Sequence, residues 1–384
     1  MRIGIDAQIL SCERRGIGRY VYNLVQGLAK ADQENRYTVY CPPGAFPHLS
    51  DRPNFTLRPV RPWPSPVWEQ CFLPVFAKKD GLDLLHCPAN TAPLYLPTRI
   101  KLVISIHDVM YLLPLSVVPQ VRTFRQRVGK AYRRTVVPRV VGRADCVLTV
   151  SECSKADILK YLPVGPEKVR VVYEGVDSFF EDAPGLPVSS SRPAAIEPNT
   201  PFILGLGAHD PRKNTEALIR IYADSRRNGG IREKLVIVGV THWRSSSFWR
   251  LAGELGLSDD VIFTDYISDE ELAWLYRAAR CLLYLPTYEG FGFPPLEAMA
   301  CGTPVIVSAV GSIPEVTGDA AMLVDPSSPE AVRTALMKVL CDSAIREVLV
   351  EKGRSRAAEF TWESAVLKTL GVYRDLLGMP TRSP

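Results

Sequence analysis

The sequence predicts an α/β protein built from two parallel-sheet domains, and three observations carry that expectation. Short apolar runs of strand length alternate with amphipathic stretches of helical period, the pattern of parallel strands covered by helices. The alternation is interrupted once, at residues 177–200 (DSFFEDAPGLPVSSSRPAAIEPNT), a stretch rich in Pro, Ser and Ala without apolar period, and this reads as a linker. A length of 384 residues also exceeds what one hydrophobic core normally serves.

In the first half, strands are expected at 2–7, 37–40, 82–86, 102–106, 146–150 and 169–173. Val21, Leu24, Val25 and Leu28 mark one helix face, and further helices are expected near 68–76, 122–139 and 154–162, the last capped by Ser151. The second half restarts with strands at 202–207, 235–238, 261–264, 281–285, 304–307 and 322–324. Ser268 with Glu271 forms a capping box for a helix to Ala279, and helices near 329–340, 344–360 and 362–377 follow. The expected organisation is a first domain over 1–176, the linker 177–200, a second domain over 201–361 and a terminal helical segment over 362–384. Parallel sheets bind ligands beyond the carboxyl ends of their strands, so the loops after strands, lining a cleft between the two domains, are where chemistry is sought.

Composition excludes several classes. A hydrophobic fraction of 46% with 23% charged residues is globular. No run of eighteen apolar residues occurs, and the N-terminus reads as a strand rather than a secretion signal, so a cytoplasmic protein is expected. Nine cysteines without a C-x-x-C pair and five histidines without ligand spacing suggest neither a disulfide framework nor a zinc site. A net charge of +5 is too small to argue for nucleic acid. The charge is concentrated at 122–143, where Arg122, Arg125, Arg127, Lys130, Arg133, Arg134, Arg139 and Arg143 interleave with Phe124, Val128, Tyr132 and Val136. Two readings stand: a helix resting on an anionic membrane surface at the inner face of the cell membrane, or a solvated face beside an anionic ligand.

Directly after the strand 281–285 comes EGFGFPPLE, residues 289–297. Gly290 and Gly292 let the backbone approach a ligand, and Pro294 or Pro295 suits a first helical turn. A helix N-terminus there would seat a phosphate, and Glu297 in that turn could take the vicinal hydroxyls of a ribose. As isolated carboxylates, Glu289 and Glu297 would more often be surface or capping residues. After the strand 202–207, which ends in Gly207, comes Ala208-His209-Asp210-Pro211-Arg212-Lys213-Asn214. Its adjacent cations Arg212 and Lys213 could neutralise a diphosphate and a developing leaving-group charge, or simply form a solvated turn. In the first domain, Arg14-Arg15-Gly16-Ile17-Gly18-Arg19-Tyr20 is a poor dinucleotide fingerprint, because Val21 occupies the third glycine position. Gly16 and Gly18 could bring backbone N–H groups to a phosphate, or make an ordinary tight turn. His107 and Asp108 follow the strand 102–106, a place for either a structural or a catalytic histidine. Trp63, Trp68, Glu69, Asn90 and Thr91 include aromatic faces that suit sugar rings and equally suit a core.

The whole E-x7-E pattern after a strand, with the PRKN and GIGRY segments, resembles the retaining family 4 glycosyltransferases of the GT-B fold, over essentially the full chain. That resemblance implies two Rossmann-like domains facing a cleft, with a C-terminal helix crossing back to the first domain. It implies that His107, Asp108, Arg212, Lys213 and Glu289 are catalytic. Gly16, Gly18, Gly207, Arg212, Lys213, Gly290, Phe291, Gly292 and Glu297 would hold a nucleotide-sugar donor. The glycan or lipid-linked acceptor would meet Trp68, Glu69, Asn90 and Thr91. SECS at 151–154 resembles the family's VSxxS segment, and YEGVD at 173–177 its exit into the linker. Many relatives carry an arginine five positions before the basic lysine, where this chain has Ala208. No cofactor or metal is implied. The style of the motifs resembles bacterial mannosyltransferases of surface-polysaccharide assembly, with GDP-mannose favoured over UDP-glucose. A sugar-nucleotide epimerase, a pseudo-glycosyltransferase and a non-catalytic nucleotide-sugar-binding subunit are the alternatives.

Overall fold

The computed structural model describes residues 1–11, 16–114, 124–180, 192–193, 195–197 and 199–379, without the side chains of 124–126 and 229. Arg14, Arg15, Arg122, the side chains of Phe124 and Arg125, and most of 177–200 lie outside the described residues. The chain divides into two compact units. One takes in Met1–Leu113, Val121–Gly175 and Thr361–Pro384; the other is built on Val176–Phe360.

The first unit carries β1 (Arg2–Asp6), α1 (Ile17–Ala31), β2 (Arg36–Cys41), β3 (Phe55–Pro59), α2 (Ser65–Val67) and, after a π-helical turn at Trp68–Phe72, α3 (Leu73–Lys79). It continues through β4 (Leu84–Cys87), β5 (Lys101–Ser105), α4 (Phe124–Arg143), β6 (Cys146–Thr149), α5 (Glu152–Tyr161) and β7 (Val169–Val171). The second unit contains β8 (Phe202–Leu206), α6 (Thr215–Gly229), β9 (Lys234–Val238), α7 (Ser247–Glu254), β10 (Val261–Thr264), α8 (Asp269–Ala278), β11 (Leu282–Tyr284) and α9 (Phe293–Ala300). It closes with β12 (Val305–Ser308), α10 (Ile313–Thr317), β13 (Met322–Val324), α11 (Pro329–Cys341) and α12 (Ser343–Ala358), and the chain then ends in α13 (Trp362–Leu376).

Both sheets are wholly parallel, in the orders β3-β2-β1-β4-β5-β6-β7 and β10-β9-β8-β11-β12-β13. Each order reverses direction at its first strand, the doubly wound arrangement in which ligands sit at the carboxyl edge. Strands such as KLVIV of β9 are almost entirely buried, as helices on both faces require. The Ser151 cap accepts from the Ser154 N–H at 3.0 Å, and the Ser268–Glu271 capping box is formed in both directions.

Three elements depart from expectation. The edge strand β3 was not foreseen: FTLRP mixes exposed and buried positions and ends in proline, which weakens its pattern but suits an edge. The helix expected from 68 starts at Ser65 and contains the π turn. Helix α4 continues through Pro138 to Arg143, because Val137, Val140 and Val141 are anchored in the core.

The last helix belongs to the first unit. Val366, Leu370 and Tyr373 of α13 share a core with Val21, Leu24 and Leu28 of α1. A Cβ on Gly27 would stand 2.3 Å from Val366, and one on Gly175 would stand 2.2 Å from the Trp362 nitrogen. The small residues set how closely α13 and its leading turn approach.

Candidate active site

In the second unit the site is assembled where β8, β11 and β12 end. β11 delivers Tyr284, fully buried, and the chain turns through Pro286 to Glu289. The Glu289 carboxylate pairs with the Lys213 ammonium at 2.5 Å, and the Tyr284 hydroxyl touches both groups. The ammonium also lies 5.0 Å from the centroid of the Tyr284 ring, within reach of a cation–π attraction. Burial works to raise the Glu289 pKa, but Lys213, the two hydrogen bonds and Arg212 outweigh it and hold the carboxyl below its ordinary range. Burial and the neighbouring carboxylate push the Tyr284 phenol well up, so it carries its proton.

Lys213 is placed by a short turn. Asp210 caps Pro211–Lys213 by accepting from the Arg212 N–H at 3.0 Å, and Asn214 adopts a left-handed conformation (φ 52°) that starts α6, a conformation asparagine tolerates well. The Arg212 guanidinium folds onto Asp210, with its Nη2 2.5 Å from the carboxylate. The Thr287 N–H donates to the Arg212 carbonyl at 2.8 Å and joins the two loops.

The motif loop is supported from beneath by residues that the sequence reading passed over. Gly311 has φ 57°, and a Cβ there would stand 2.4 Å from the Glu289 carbonyl. Ser312 donates from N–H and hydroxyl to that carbonyl at 3.2 Å, and its hydroxyl reaches the Phe291 carbonyl at 2.6 Å. Gly292, at φ 112°, opens α9 without a side-chain cap. Gly290 and Phe291 lie in the loop just before it. Two buried hydroxyls at this edge, Thr287 Oγ1 and Ser308 Oγ, have no hydrogen-bond partner among the described residues, which is costly for a buried donor.

Two of the expected donor-side residues, Glu297 and Gly207, are buried. Glu297 is the fifth residue of α9, past its first turn, is 4% exposed, and accepts from the Tyr276 hydroxyl at 3.0 Å, so one carboxylate oxygen is already engaged. The Gly207 N–H donates to Val238 in the sheet ladder at 2.9 Å, and a Cβ there would stand 2.7 Å from Ile237. Its glycine serves packing.

In the first unit, Gly16 (φ 47°) opens α1 and Gly18 is buried within it. Tyr20 lies edge-on to His107 at 4.7 Å, and its hydroxyl is 3.1 Å from Ser105. Both His107 ring nitrogens face acceptors: Glu174 Oε1 at 3.0 Å and the Pro88 carbonyl at 2.9 Å. Burial opposes a charge here, but the Glu174 bond and charge outweigh it and raise the pKa above the ordinary histidine range. The His107 N–H donates to Asn90 at 2.7 Å and its carbonyl accepts from Ser154 at 2.9 Å. Both ring nitrogens are thus engaged within the first unit. Asp108 accepts from the Met110 N–H at 3.0 Å, holding its turn.

The expected acceptor residues turn inward. Trp68 is fully buried, 5.9 Å from each of the Tyr40 and Phe76 rings, and its indole donates to Asp6 at 3.0 Å. Glu69, 6% exposed, accepts from Thr91 at 2.6 Å and Tyr132 at 2.8 Å. Burial pushes the Glu69 carboxyl up to about 7 and that of Asp6, unmarked by any motif, to about 6. Asn90, at φ 66°, is committed to His107. Trp68, Glu69, Asn90 and Thr91 thus brace the fold, whereas Trp63, 42% exposed and 4.7 Å from Phe72, keeps an aromatic surface open.

Two family models divide the chain between them. Glycosyltransferase Family 4 matches residues 14–178, and Glycosyl transferases group 1 matches residues 189–356. The O-antigen chain mannosyltransferase B of Escherichia coli is 30% identical over 304 residues, covering 78% of this chain and 76% of that protein. The chain is a family 4 glycosyltransferase. A serotype-specific mannosyltransferase, WbdA, of Escherichia coli is 30% identical over 224 residues, 57% of this chain, and the matched part is 27% of that longer protein. The solved structure of a sucrose-phosphate synthase from Thermosynechococcus elongatus superposes with a TM-score of 0.73 at 23% identity, over 98% of this chain and 99% of that one, which shows the shared GT-B fold. No helix of this glycosyltransferase among the described residues is long and apolar enough to cross a membrane.

Proposed function

We propose that this glycosyltransferase moves a hexosyl group from a nucleoside-diphosphate sugar to a hydroxyl of a glycan or lipid-linked oligosaccharide in polysaccharide assembly, with retention at the anomeric carbon. The observation that carries the reading is the Lys213–Glu289 pair at the carboxyl edge of the second sheet, beside the uncapped N-terminus of α9. An ammonium near the positive end of a helix dipole suits a diphosphate, and Glu289 suits the hydroxyls of the sugar attached to it. As the bond to the sugar breaks, Lys213 stabilises the charge gathering on the diphosphate. The departing phosphate oxygen can take the acceptor proton, so the reading needs neither an enzyme nucleophile nor a metal. GDP-mannose is preferred over UDP-glucose because several similar proteins are named mannosyltransferases.

The test is a panel of GDP- and UDP-sugars scored for nucleoside-diphosphate release with and without lipid-linked oligosaccharide acceptors, with product configuration read by NMR. Acceptor-dependent release and a retained anomer are expected. Conversion of the donor to another nucleotide sugar without net release would favour an epimerase, release without acceptor would mark simple hydrolysis, and an inverted product would sink the retaining mechanism. We further propose that exposed Arg127 and Arg134 of α4 rest on an anionic membrane at the inner face of the cell membrane. Arg143 instead donates to the Leu94 and Leu96 carbonyls. Flotation with phosphatidylglycerol vesicles that survives Arg127→Ala with Arg134→Ala would contradict that docking.

A further inference from the structure

Tyr284 belongs to no motif, and its hydroxyl stands between two opposite charges. The phenol is fully buried at the end of β11, in contact with the Lys213 ammonium and the Glu289 carboxylate, which also pair directly at 2.5 Å. An ammonium can only donate and a carboxylate only accept, so the phenol proton points to Glu289 and its oxygen accepts from Lys213. The side chains of Lys213 and Glu289 are 26% and 14% exposed. An anion drawing Lys213 outward therefore leaves a largely buried carboxylate without its cation, an expensive state. The other charged groups facing this pair are Arg212 and Asp210. Arg212 is folded onto Asp210, and Asp210 repels a carboxylate.

We infer that Tyr284 is a positioning residue that lets Lys213 leave Glu289 for the donor diphosphate, by keeping a hydrogen bond on the carboxylate as the ammonium moves away. The inference rests on the second unit being the donor site. Without the hydroxyl, Glu289 retains Lys213 more tightly or takes up a proton when Lys213 departs. If Glu289 is first made neutral, nothing retains Lys213, and the hydroxyl loses its importance. A hydroxyl serving only to pack the strand would matter equally in both backgrounds.

The experiment is a calorimetric titration of GDP and UDP into the parent chain, Tyr284→Phe, Glu289→Gln and the double variant, in two buffers of different ionisation enthalpy. In Tyr284→Phe, affinity is expected to fall by about tenfold, and binding should become buffer-dependent as Glu289 takes up a proton. In the Glu289→Gln background the same substitution should change affinity by less than about twofold. Equal losses in both backgrounds, or parent-like affinity in Tyr284→Phe, would overturn the inference. A parent chain that binds neither GDP nor UDP would overturn the donor-site reading itself, and this inference with it.

Discussion

The two units place polar side chains near the carboxyl ends of similar sheets and use them in opposite ways. In the second, Lys213 pairs with Glu289 and Arg212 with Asp210, all partly exposed, through contacts that an anion could exchange. In the first, His107, Glu174, Glu69 and Thr91 are buried and mutually satisfied. A charged group can serve a ligand only if its present partner can be given up. The second unit meets that condition at its motif loops, whereas the first spends the same residue types on holding loops 88–94 and 105–110 in place.

The comparison is most open to attack at Lys213. Lys213→Ala should lower transfer by on the order of 10²–10³-fold, the usual cost of losing one charge-stabilising donor, measured as diphosphate release at saturating acceptor. A small effect on turnover would place Lys213 with the scaffold.

Breaking the buried His107–Glu174 pair should act on folding. Glu174→Gln is expected to cost about 3–5 kcal/mol in urea unfolding of the full chain, while Lys213→Ala costs less, about 1–2 kcal/mol, because Glu289 keeps its hydrogen bond from Tyr284. Comparable losses would remove the contrast between the two units. Gly175→Ala should cost about 1–3 kcal/mol by overpacking, since the added Cβ would meet the Trp362 backbone at 2.2 Å. An unchanged melting temperature would show that the turn relaxes freely.

The smallest expected effect is on pH dependence. Glu69 has its pKa raised to about 7 from 4.5, and Asp6 to about 6 from 3.8, so protonation favours the fold. Their contribution is fully present below the unfolded values and is lost as pH rises through about 6 to 7. Glu69→Gln removes its share, and the drop in melting temperature between pH 5 and pH 8 should shrink by about 3–6 °C. An unchanged drop would mean that Glu69 is ionised throughout that range.

Much of the architecture could be read before the structure. The alternation of apolar runs and helical periods is a direct consequence of burying both faces of a parallel sheet, and capping residues such as Ser151 and Ser268 act locally. β3 escaped notice because an edge strand is released from the constraint that makes the others recognisable. Side-chain direction was harder to read. A tryptophan beside a glutamate suggests a sugar platform, yet the π turn and Asp6 point Trp68 into the core. Tyr284 looked like one more apolar residue of CLLYLP, and its meaning depends on Lys213, 71 positions away. Gly311-Ser312 could have been suspected from a glycine in the loop after a buried strand, the same cue that drew attention to Gly290 and Gly292.

The central claim is that the motif loops of the second unit form an exchangeable anion site. Its most direct test is calorimetric titration of GDP and UDP into the parent chain, Lys213→Ala, and Arg220→Ala on the exposed outer face of α6. The account predicts at least tenfold weaker binding in Lys213→Ala and parent-like binding in Arg220→Ala. Equal affinity in all three would contradict it.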